Sequence, residues 1–113
     1  MQKKVDPIST DCVYFLISGD RRRIKIGRTT DLRSRVGGIR QHMKDRKIKI
    51  LGCFSNITHE QSLRIEVALH RKFKNYRVFG EWFEAQPIQD YINNCKMIKL
   101  PPKDWGCTYY NDL

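Results

Sequence analysis

The apolar positions come in two rhythms, and each predicts an element. Cys12-Val13-Tyr14-Phe15-Leu16-Ile17 is an unbroken apolar run with β-branched and aromatic members, the pattern of a buried strand. Ser18-Gly19-Asp20 is a turn signal, and from Arg21 to Arg28 the chain alternates, with Ile24 and Ile26 on one face and Arg23 and Lys25 on the other. Two strands joined so closely predict an antiparallel hairpin. Thr29-Thr30-Asp31 offers a helix N-cap. Leu32, Val36, Ile39 and Met43 then recur at helical spacing. Gly37-Gly38 interrupts that helix at a cost of about 1.5–2 kcal/mol relative to alanine. Either the helix breaks there or something approaches its backbone closely.

Lys47 to Phe54 reads as a third strand. Thr58-His59-Glu60-Gln61 matches a capping box, and the helix behind it is expected to reach about Phe73 with Leu63, Val67 and Phe73 facing inward. Val78 to Glu84 is short, aromatic and strand-like or irregular. Pro87 suits the first turn of a helix containing Ile88, Tyr91 and Ile92. Met97-Ile98-Lys99-Leu100 is expected to pair once more before Pro101-Pro102 ends the fold. The order β-β-α-β-α-β-α predicts an α+β domain, with a small central antiparallel sheet of about three strands flanked by helices. Residues 1–10 read as a loose arm, 11–100 as the domain and 101–113 as a tail.

Charge changes the picture most. The 113 residues carry 22 Lys and Arg against 12 Asp and Glu, a formal +10. Between Arg21 and Lys49 twelve residues are basic and only Asp31 and Asp45 are acidic, so the charge is clustered. That points to a polyanionic partner. No apolar run reaches the roughly 18 residues of a membrane span, and the first residues lack a leader's apolar stretch, so the expectation is an intracellular, cytoplasmic protein with no membrane partner. Cys12, Cys53, Cys95 and Cys107 have no metal-binding spacing. Their number allows disulfides, but without a leader free buried thiols are the expectation for them.

The chemistry-bearing residues begin in the hairpin. Cys12-Val13-Tyr14 is followed, after ten residues, by Lys25-Ile26-Gly27-Arg28-Thr29; Arg35 comes eight residues after Gly27; Leu69-His70 and Gly80-Glu81-Trp82-Phe83 follow in order. This succession resembles the GIY-YIG nuclease superfamily, and its KIGRT, LH and GEWF segments are similar to a phage-associated subfamily described as a DNA-binding domain. The resemblance covers about residues 11 to 95. Two positions differ from the family pattern: Lys25 stands where the second motif has its tyrosine, and Cys12 where the first has glycine. Asn93 and Asn94 lie near the place of a further family asparagine.

The resemblance implies a metal-dependent endonuclease hydrolysing phosphodiester bonds, with DNA as substrate in preference to RNA. Tyr14 would be the hydroxyl beside the attacking water, with the alternative of a core aromatic. Lys25 and Arg35 would stabilise phosphate charge. Glu81 would hold one Mg²⁺ or Mn²⁺, or else form a salt bridge. His70, one helical turn from Glu66, would be a second acid–base group or assist the metal, or simply pair with that glutamate. Arg21, Arg22 and Arg23 read as a phosphate-positioning patch that Arg28, Arg33, Arg40, Lys44 and Lys47 extend, with His42 near the helix end as a proton donor or a further phosphate contact. His59 is expected to face solvent, and Trp82 and Phe83 to be core. A homodimer would supply a second site for double-strand cleavage. Two other functions fit the same residues: a non-catalytic nucleic-acid-binding module, and a phage-type regulator that binds a protein.

Overall fold

The computed structural model describes residues 11–98, the last four by their backbone only. The expected hairpin is present as β1 (Cys12–Ile17) and β2 (Arg23–Thr29). It is followed by α1 (Leu32–Met43), β3 (Lys49–Phe54) and α2 (His59–Lys72). A 3-10 turn (Lys74–Tyr76), β4 (Arg77–Phe79), β5 (Trp82–Glu84) and α3 (Ala85–Ile98) complete the order. The sheet is antiparallel, in the order β3-β1-β2-β5-β4. The α+β class stands with five strands instead of about three, because the Val78–Glu84 segment folds into two. Gly80, at φ +52, supplies the turn between them.

β1 lies inside the sheet, which explains its unbroken apolar run. Val13, Phe15 and Ile17 join Ile24, Ile26 and Phe83 beneath Leu69 and Phe73, with Ile88 and Ile92 of α3 in the same cluster. Tyr14 and Leu16 point the other way and pack with Ile50, Trp82 and Val36 of α1. The hairpin is therefore the middle layer between two helical faces. Asp31 caps α1 by accepting from the Ser34 amide, and Thr58 and Gln61 form the full capping box of α2.

Four expectations need correction. α1 runs unbroken through Gly37 and Gly38, and a Cβ at either would meet nothing within 4 Å. α2 is rotated from its expected phase: Leu63 and Val67 are exposed, the latter by 54%. Phe73 faces inward as expected, but its companions are Ser62, Ile65, Glu66 and Leu69, and His70 sits half-buried beside them. Met97 and Ile98 belong to α3 and pair with no strand, while Lys99 and Leu100 lie outside the described residues. Cys12 is a free buried thiol as expected, but Cys53 is disulfide-bonded. The arm at 1–10 and the tail at 101–113 also lie outside the described residues. Among those described, no helix is long and apolar enough to cross a membrane.

Candidate metal and phosphate site

β2 outruns its neighbour. Its pairing with β5 covers Arg23 to Lys25, and the Ile26 amide donates to the Glu81 carbonyl just beyond. Gly27, Arg28 and Thr29 thus extend past the end of β5, and Glu81 sits at that step. Here the two faces of the sheet meet.

Tyr14 lies directly opposite Gly27 in the β1–β2 register, so Lys25 is its diagonal neighbour on the same face and Leu16 takes the place opposite Lys25. The tyrosine ring lies flat against the missing side chain. A Cβ on Gly27 would fall 2.4 Å from the Tyr14 hydroxyl oxygen and 2.5 Å from Cζ. Gly27→Ala is therefore expected to displace Tyr14 and cost about 1–3 kcal/mol, the usual range for overpacking. Urea unfolding measures it, and in a double-mutant cycle with Tyr14→Ala, itself costly because the ring is core, the combined loss is expected to fall well short of the sum of the two. Independent, additive losses would show that the two residues do not meet.

The Tyr14 hydroxyl is fully buried and has no hydrogen-bond partner among the described residues. Burial raises its pKa to about 12, with further upward pressure from Glu81 and Glu66 and an opposing pull from Arg35. Arg35 is exposed on α1 but close enough to act on the phenol electrostatically. No hydrogen bond of good geometry joins the two.

Glu81 is shared between two groups. Lys25 Nζ donates to its Oε1 at 2.9 Å, and Lys25 also lies 5.9 Å over the Trp82 ring. On the other side, Glu81, Glu66 and His70 each offer a ligand atom, all within 4.8 Å of one another. The His70 Nε2 is 2.8 Å from the Ile26 carbonyl oxygen, which can only accept, so Nε2 carries the proton. In the neutral ring Nδ1 is then the lone-pair nitrogen. The Phe83 ring packs edge-on against this imidazole. Glu66 has its pKa raised, first by burial and then by the Glu81 charge, with His70 and Arg28 pulling the other way.

Glu66 and Glu81 repel one another, and a divalent ion between them would relieve that repulsion alongside Lys25 and Arg28. The donor set fits Mg²⁺ or Mn²⁺: two carboxylates suit either ion, and the imidazole nitrogen tilts it toward Mn²⁺. Glu66 was not among the sequence candidates for this cluster, although its four-residue spacing from His70 was the available signal.

The other expected contacts separate into groups. Arg28 is half-buried between carboxylates, with Nη1 3.7 Å from Asp11 and Nε 3.9 Å from Glu66. Asp11 also receives Ser62 Oγ and the otherwise exposed His59 ring. Arg40 donates through Nε and Nη2 to the Ile48 carbonyl, so those two donors are committed to the fold. Arg21, Arg22, Arg23, Arg33, His42, Lys44 and Lys47 are exposed. The hairpin turn and the 44–47 loop adjoin, because the Gly19 amide donates to Asp45 at 2.8 Å. Their cations therefore form one rim. A second basic group was missed: Arg71, Lys74 and Arg77 line an open cleft of about 440 Å³ together with Glu66, His70 and Glu81. The Arg71-Lys72-Phe73-Lys74 run had marked it in the sequence. Trp82 and Phe83 are core, as expected.

Residues 11–99 match the family model described as the T5orf172 domain. No curated protein and no solved structure matches the chain.

Proposed function

The chain belongs to the T5orf172 domain family, a phage-type, nucleic-acid-related group, and from that premise we propose that it is a metal-dependent endonuclease of the GIY-YIG kind acting on DNA. The observation that carries this reading is the convergence of Glu66, His70 and Glu81 within 4.8 Å of one another. The buried Tyr14 hydroxyl lies within electrostatic reach of both glutamates. A divalent ion held there would neutralise a phosphate oxygen and the charge that develops as water attacks phosphorus.

The side chains have separable tasks. With a pKa near 12, Tyr14 stays a hydroxyl at neutral pH and works as a hydrogen-bonding relay for the water's proton. Arg35 supplies a planar cation for the phosphate oxygens. Lys25 holds Glu81 in place and adds a second positive charge, a task that needs no hydroxyl and so tolerates lysine where tyrosine was expected. His70 serves as a ligand through Nδ1, because its Nε2 is tied to the Ile26 carbonyl. The arginines of the hairpin turn bind phosphates without choosing sequence.

Incubation of the purified protein with single- and double-stranded DNA and Mg²⁺ or Mn²⁺ tests this. Cleavage is expected with metal and is lost with chelator, with Glu81→Ala and with Arg35→Ala. Cleavage that survives both substitutions sinks the assignment. One observation favours a second reading, a binding module without turnover: Lys25 already neutralises Glu81 at 2.9 Å. That reading predicts binding that weakens steeply with salt and no cleavage with either metal.

A further inference from the structure

Beside the metal cluster, on the face covered by α1, lies an aromatic row that the proposed chemistry uses only through Lys25. Lys25, Trp82 and Phe79 form a row across β2, β5 and β4, since Lys25 pairs with Trp82 and Trp82 with Phe79. The two rings stack with centroids 6.4 Å apart and planes 27° from parallel. Arg23 places its guanidinium carbon 5.5 Å from the Phe79 centroid. Phe79 and Met43 are nonetheless 44% and 37% exposed, so both present apolar surface to solvent. They line a slot of about 210 Å³ with Trp82, Arg23, Ile48 and Asp20.

The slot's chemistry identifies its occupant. It is smaller than the cavities that enclose drug-sized ligands. Its surfaces are flat aromatic rings, a thioether and a guanidinium, all of which accept a planar heterocycle. Asp20 and Asp45 stand at its border, and carboxylates there repel a phosphate but accept from a base's amino group. Asp20 spends Oδ1 on the Ser18 hydroxyl and the Arg22 amide, which leaves Oδ2 for such a bond. The surrounding rim has the opposite charge: Arg21 and Arg22 on one side, Lys44, Arg46 and Lys47 on the other, all exposed. An acidic, aromatic slot inside a basic rim matches a nucleotide with its base inward and its backbone outward.

We propose that the slot lined by Phe79, Trp82, Met43 and Arg23 is a nucleobase-stacking subsite, so that the protein engages its polynucleotide as an unpaired strand. The proposal rests on the nucleic-acid reading above and adds the strand state. Trp82 belongs to both places, under Lys25 at the metal cluster and against Phe79 at the slot. The base stacked here therefore sits close along the strand to the phosphate at Glu81. A base in a duplex cannot reach the slot without leaving its partner.

The test is binding in EDTA, which separates it from cleavage, with a single-stranded oligodeoxynucleotide that carries one 2-aminopurine. Binding is expected to quench the 2-aminopurine fluorescence. Phe79→Ala and Phe79→Leu are expected to weaken single-strand binding roughly 5- to 150-fold, the range of one base stacked on an aromatic ring. Phe79→Tyr retains it, and duplex binding changes little in any of them. Circular dichroism confirms folding, which the exposure of Phe79 favours. Tight single-strand binding that is indifferent to all three variants overturns the subsite and leaves the nucleic-acid reading standing. Absence of binding to any oligonucleotide overturns both.

Discussion

Tyr14→Phe is expected to leave the fold as stable as before, or more so, while cleavage falls by about 10²- to 10⁴-fold, the usual contribution of a proton-transferring group. The two effects have opposite signs because the hydroxyl has opposite roles in them. In the folded chain it is buried and makes no hydrogen bond among the described residues. An orphaned buried hydroxyl costs about 1–3 kcal/mol, so its removal relieves the fold. The ring itself still packs on Gly27 and among the α1-side core residues. A polar group kept at such a cost fits the relay proposed for Tyr14, with Arg35, Glu66 and Glu81 all within electrostatic reach of the hydroxyl. Denaturant unfolding and a metal-dependent cleavage assay on the same preparation check both halves. Full cleavage by the variant would reduce Tyr14 to a core aromatic.

The hairpin was legible because every one of its signals agreed. An apolar run, a turn and an alternating strand leave one arrangement open, and the turn residues keep Tyr14 and the glycine motif in one register. The capping box at Thr58 was legible for the same reason, since it is a local hydrogen-bond pattern. α2 was misread in phase because its inward stripe is partly polar. Ser62 reaches Asp11, Glu66 faces Arg28 and Glu81, and His70 reaches the Ile26 carbonyl. Apolar periodicity cannot find such a stripe, and Leu63 and Val67 on the outer side supplied a false one. In that false phase Glu66 lies off the inward stripe and is only a neighbour of His70. Five strands emerged instead of three because strands of three residues, such as Arg77–Phe79 and Trp82–Glu84, are too short to show a period.

Glu66 carries the other large expected effect. Its carboxyl pKa lies above the ordinary 4.5, first through burial and then through the Glu81 charge. A raised carboxyl pKa means that the folded chain keeps a proton the unfolded chain has released. The stability from this group is full below pH 4.5 and is lost as pH rises through the raised value. Without metal, Glu66→Gln is therefore expected to melt above the wild type at neutral pH, with the difference shrinking toward acid. Mn²⁺ should reverse the order. Its stabilisation of the wild type grows as pH rises through the same window, because binding requires the carboxylate. The glutamine variant loses a ligand, and its Mn²⁺ affinity is expected to fall by more than the 10–100-fold that loss of outer-shell support causes. Thermal melts across pH, with Mn²⁺ and with chelator, read both effects. A variant that is less stable than the wild type at neutral pH and equally responsive to Mn²⁺ would mean that Glu66 serves Arg28 alone. The carboxylate pair would then be a by-product of packing, and Glu81 would face any cation with only His70 beside it.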